Sequence, residues 1–142
     1  MKIRMRAIVV TTWLVSLTLT AQAPETYKGR LSPVPVDAQL APNTTGHGSA
    51  SVALTGTKLS VTGTFEGLRG SATAAQLRQG LATGVRGPML YDLTVTRAAS
   101  GTISGSCDLT REQVDALRKG RLYVQIDSEK APDGNLWGWL LK

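Results

Sequence analysis

The sequence predicts an all-β domain with one short helix, an antiparallel, Greek-key-like β-sandwich, and three observations lead there. Apolar residues alternate at period two in several short runs, glycine-bearing turns separate those runs, and only one segment carries paired helix start and stop signals. Six or more short strands with a single small helix are the pattern of a two-sheet sandwich or a barrel.

The first segment sets the domain boundary. Lys2, Arg4 and Arg6 precede an apolar run from Ala7 to Leu19, and small residues follow at Ala21-Gln22-Ala23. This is the layout of a secretory signal peptide over residues 1–23, with the domain at 24–142. Thr11, Thr12, Ser16 and Thr18 interrupt the run, which is shorter than the roughly 20 apolar residues a spanning helix needs. The mature chain is therefore expected to have no transmembrane helix and to be periplasmic or extracellular. Pro24 fits poorly just past a scissile bond after Ala23, so cleavage after Ala21 stays open.

The chain carries 16 Lys+Arg against 10 Asp+Glu, but three of the bases lie in the leader. The domain keeps 13 against 10, a net of about +3. No aromatic residues interleave a basic run, so nucleic acid is not an expected partner. Cys107 is the only cysteine, which leaves no intramolecular disulfide. A buried thiol and an intermolecular disulfide are the two readings of it.

The strands follow in order. Tyr27–Leu31 is a short candidate within a proline-rich stretch and reads as an edge strand followed by a loop containing Asn43-Thr44-Thr45. Ala50, Val52 and Leu54, then Leu59, Val61, Gly63 and Phe65, alternate on either side of Gly56-Thr57, a hairpin. Further strands are expected at Ala72–Arg78, Met89–Val95 and Gly101–Cys107. Thr110 and Gln113 form a capping box, with Leu109 and Val114 as a hydrophobic staple. Arg118 and Lys119 suit the C-terminal end of that helix, and Gly120 stops it. Leu122–Ile126 and Leu136–Leu141 make a last hairpin around Ala131-Pro132-Asp133-Gly134.

The segment Leu109–Leu140, LTREQVDALRKGRLYVQIDSEKAPDGNLWGWL, resembles the C-terminal half of CHRD (chordin-type) domains, and Leu59–Gly80 resembles the upstream half. The resemblance spans about Lys28 to Leu141 and implies a sandwich comparable with that of copper–zinc superoxide dismutase. It also implies a His-x-His pair after T-A-A and a further histidine after the LYV strand. Here Gln76, Arg78 and Asp127 stand at those positions. A guanidinium has no lone pair and a fixed positive charge, so the family's metal site is not expected in this chain. Gln76, Arg78 and Asp127 are instead the candidate polar site, read either as a polar pocket with an Arg–Asp pair in place of the metal or, the favoured reading, as a structural ion pair filling the vacated site.

Other candidates are weighed in the same way. His47, the only histidine, sits in a Gly-His-Gly loop and has no second nitrogen ligand. Asp127, Glu129, Asp133 and Asn135 could offer oxygens to calcium, although hairpin turns are rich in such residues anyway. Trp137 and Trp139 could form a sugar or partner platform, or core. The sequence thus points to an exported CHRD-domain protein acting as a non-catalytic binding or structural module of the envelope, with no cofactor. Its expected partner is a protein or an envelope polymer. The alternatives are a metal-dependent superoxide-dismutase-like enzyme and a basic, polyanion-binding secreted protein.

Overall fold

The structure, a computed structural model, describes Trp13 and residues 23–142. The leader expected over residues 1–23 lies, apart from Trp13 and Ala23, outside the described residues. Among the described residues no helix is long and apolar enough to cross a membrane.

Eight antiparallel strands and one helix build the domain: β1 (Glu25–Pro33), β2 (His47–Thr55), β3 (Lys58–Glu66), β4 (Ala72–Gln79), β5 (Met89–Val95), β6 (Gly101–Asp108), α1 (Arg111–Arg118), β7 (Leu122–Ser128) and β8 (Leu136–Trp139). A 3-10 turn at Ala41–Asn43 lies between β1 and β2. The strands close into a barrel in the order β1-β2-β3-β6-β5-β4-β7-β8. The two sheets of the expected sandwich are thus joined rather than separate. Closure comes at two short seams, Thr94–Val95 with Ile103–Ser104, and Ser32–Pro33 with Leu136–Trp137.

The second seam corrects the reading of the first strand. Tyr27–Leu31 is no edge strand, because β1 pairs with β2 along Glu25–Leu31 and then bends onto β8. Backbone contact there is close enough to require glycines. A Cβ on Gly29 would stand 2.8 Å from the Trp139 carbonyl oxygen, and one on Gly138 would stand 2.9 Å from the Leu31 side chain. The last strand is also shorter than its apolar pattern suggested. It ends at Trp139, and Leu141 rejoins Lys28 through an isolated bridge.

Alternation fills the interior. Tyr27, Leu31, Val52, Leu54, Leu59, Val61, Leu77, Ile103, Val124, Ile126 and Leu136 all lie within one buried cluster. Each has strand neighbours pointing the other way, which is the period-two pattern of the sequence. The β2–β3 hairpin turns through Gly56-Thr57, with Gly56 at φ 64, as a two-residue turn with glycine first requires.

Helix α1 carries the chain from β6 to β7. Its capping box is complete: Thr110 Oγ1 accepts from the Gln113 amide at 3.2 Å, and Gln113 Oε1 accepts from the Thr110 amide at 2.9 Å. At the other end Gly120 takes φ 71, its amide donates to Leu117 and the Arg121 amide donates to Ala116. That is a Schellman stop. Val114, Ala116 and Leu117 are buried.

The helix also anchors the first strand. Arg118 Nη2 donates to Glu25 Oε1 at 2.8 Å, and the Tyr27 hydroxyl donates to Glu25 Oε2 at 2.7 Å. The hydrogen bonds from Arg118 and then Tyr27 hold the Glu25 carboxyl at about 2, well below the usual carboxylate range.

Two outcomes follow from these contacts. Thr110→Ala removes the acceptor for the Gln113 amide and should lower unfolding stability by about 1 kcal/mol in urea, with Thr110→Ser close to the parent. For Glu25, the folded pKa lies below the unfolded one, so its contribution is complete above about pH 4.5 and disappears as pH falls toward 2. Glu25→Gln should therefore flatten the acid limb of the stability–pH curve in that window and leave the curve's shape above it unchanged.

Candidate functional site

Strand β7 is buried at every position from Leu122 to Ser128. Its inward residues meet the core; its outward residues, Tyr123, Gln125 and Asp127, are covered as well. The cover comes from the loop between β4 and β5, the turn at Ala131–Gly134 and the side chains of neighbouring strands. A sheet face that is both polar and buried must satisfy its groups internally.

Most of that demand is met by one row of side chains. Gln76 stands opposite Gln125, and Arg78 opposite Tyr123, in the β4–β7 register. Asp127 Oδ2 accepts from Gln76 Nε2 at 2.9 Å, and Asp127 Oδ1 accepts from Gln125 Nε2 at 2.8 Å. Gln76 Oε1 in turn accepts from Arg78 Nη1 at 3.0 Å. Arg78 Nε reaches the Gly87 carbonyl at 3.0 Å, and the Tyr123 hydroxyl bonds the same Gly87 peptide. Gln76, Arg78 and Asp127 thus stand in a single hydrogen-bonded row. The expected Arg–Asp pair is corrected, because Gln76 stands between the two charges and passes the contact from one to the other.

The loop over this face is fastened by arginines. Arg78 holds Gly87, Arg121 Nε donates to the Gly80 carbonyl at 3.1 Å, and Arg86 Nη2 donates to the Asp133 carbonyl. Thr83 Oγ1 adds a 2.7 Å bond to the Gly120 carbonyl. Gly80 lies against Trp139, where an added Cβ would stand 2.8 Å from the indole.

An aromatic cluster completes the face. Tyr123 and Trp139 lie 4.3 Å apart between ring centres, Trp137 and Trp139 5.4 Å, and Tyr123 and Trp137 5.8 Å in an edge-on arrangement. The two tryptophans are half-buried and tilted against each other, so they form neither a flat platform nor inner core. Two buried polar atoms here have no partner, Gln125 Oε1 and Trp139 Nε1.

The remaining candidates separate in space. His47 opens β2 rather than sitting in a loop, and pairs across the ladder with exposed Glu66 at 2.8 Å. Asp127 and Asn135 are committed elsewhere: Asn135 accepts from Ser128 Oγ and donates to the Thr45 carbonyl, while Glu129 and Asp133 are exposed. Among the described residues no group of three or more His, Cys, Asp or Glu side chains gathers as a metal site. Cys107 is half-buried on β6, and burial raises its thiol pKa, with Asp108 adding to the effect. The sequence reading missed Gln125. The sequence alone marks it only as a polar residue between Val124 and Ile126.

The donor set does not fit the transition metal that the fold resemblance implies. Gln76 offers an amide whose oxygen is already taken, Arg78 offers a fixed cation, and both Asp127 oxygens are engaged. Fold and site together define a closed antiparallel β-barrel whose one covered outer face carries an internally bonded polar row. The family model of the CHRD domain matches residues 31–140, and the chain belongs to that family. No curated protein and no solved structure matches the chain.

The row makes a specific demand on Asp127. Replacing it by alanine strands two amides and should cost about 1–3 kcal/mol. Asp127→Asn should cost clearly less, because Gln125 can turn its unpartnered oxygen toward the new amide. Urea unfolding of both variants checks the order, and equal losses would count against the row.

Proposed function

We propose that this CHRD-domain chain is an exported, non-catalytic binding or structural module of the cell envelope or extracellular space. The observation carrying the non-catalytic part is the Arg78–Gln76–Asp127–Gln125 row. In it an engaged amide, a guanidinium and an engaged carboxylate, those of Gln76, Arg78 and Asp127, stand where the family resemblance implies imidazole ligands. The basic, apolar and small-residue sequence of residues 1–23 supports export.

The strand order supports placing the barrel among Greek-key folds. Strands β4, β5 and β6 are sequential neighbours, and β3 lies beside β6 instead of beside β4. On this reading the architecture is that of the superoxide-dismutase type without its metal chemistry. Function by architecture alone would be analogy, so the reading leans on the polar row. The partner is a protein or an envelope polymer.

Elemental analysis of protein purified from its native host tests the reading. The expected result is copper and zinc far below one equivalent, with no uptake when zinc is added in calorimetry. Stoichiometric metal that disappears in an Asp127→Ala variant would overturn it.

A further inference from the structure

The turn at Ala131–Gly134 and the loop at 34–45 enclose a pocket of about 360 Å3, set apart from the aromatic cluster. Its wall is apolar at Val36, Leu40 and Pro132, and Leu40 is 51% exposed despite its size. Arg86 and Lys130 stand at its rim beside Asp133. Neither cation is in an ion pair; among the described residues the pairs are His47–Glu66 and Arg118–Glu25.

Arg86 spends one N–H on the Asp133 carbonyl, and a guanidinium has five to give. The nearby carboxyl of Asp37 is directed to the backbone amides of Gln39 and Leu40, each at 3.0 Å. The pocket lining thus carries two cations, Arg86 and Lys130, and one carboxylate, that of Asp133. An apolar wall ending at a cationic rim is complementary to a molecule with an apolar tail and one anionic head. The volume lies in the range of small-molecule sites.

We propose that this pocket binds an amphipathic carboxylate, a free medium-chain acid, with its tail along Leu40, Val36 and Pro132. Its carboxylate accepts from the open edge of the Arg86 guanidinium, and Lys130 adds a second charge contact. The inference rests on the chain's being a binding module and gives that module a ligand. Metal analysis tests the module reading by itself, so the two can fail separately.

The experiment is a calorimetric titration of the mature chain with decanoate below its micellar concentration, compared with decanol and with acetate. The expected result is saturable binding of one decanoate per chain, with decanol and acetate at least about tenfold weaker. Arg86→Gln and Lys130→Gln, each checked for an unchanged unfolding midpoint, should weaken decanoate severalfold, and together about tenfold or more. Leu40→Ser should weaken it while leaving the preference for decanoate over decanol intact. No saturable decanoate binding, equal affinity for decanol, or undiminished binding by the folded double variant would each overturn the proposal. Tighter binding of a peptide ending in an apolar residue than of decanoate would overturn the assignment of a free acid.

Discussion

Burial of β7 on both faces is the constraint from which the rest of the molecule follows. A strand in an antiparallel sheet commonly keeps one side in water. Here the inner side holds Leu122, Val124 and Ile126, and the outer side holds Tyr123, Gln125 and Asp127, all removed from solvent. An apolar inner side needs only packing. A polar outer side needs partners for each donor and acceptor, because an unpaired buried group costs about 1–3 kcal/mol. The Gln76 and Gln125 side chains meet that need for Asp127 and Arg78 braces Gln76, while Gln125 Oε1 stays unpartnered.

The same constraint bears on whether this face could hold a metal. In a part-buried row with both carboxylate oxygens engaged and a guanidinium at one end, a metal would have to displace existing hydrogen bonds and sit near a fixed cation. Gln76 braces Asp127 and Arg78 braces Gln76, so neither side chain offers a free ligating atom. The barrel's closure works alongside this. Gly29 and Gly138 let β1 and β8 approach, and the β7–β8 register sets Trp139 opposite Tyr123.

Much of the strand layout was legible in the sequence, and the reasons are physical. The β2–β3 hairpin is written as two alternating runs around Gly56-Thr57, and α1 as a capping box and a glycine stop, all within local reach of the chain. Closure was not legible. It depends on β1 meeting β8 about a hundred residues later, through pairings of only two residues, and proline near Tyr27 argued locally for an edge. At the site, Gln76, Arg78 and Asp127 could be named from the family pattern. Gln76's position between the two charges could not, since it depends on the β4–β7 register. Gln125 escaped notice because a lone amide between Val124 and Ile126 resembles any outward polar residue until its cover is known.

The most direct test is side-chain amide hydrogen exchange of Gln76 and Gln125 by nuclear magnetic resonance, with and without zinc. Both amide groups should exchange far more slowly than that of a solvated glutamine such as Gln39, and their signals should stay in place when zinc is added. Free exchange at both positions, or displacement of the Gln76 signal by stoichiometric zinc, would contradict the claim that this face is a closed hydrogen-bonded brace.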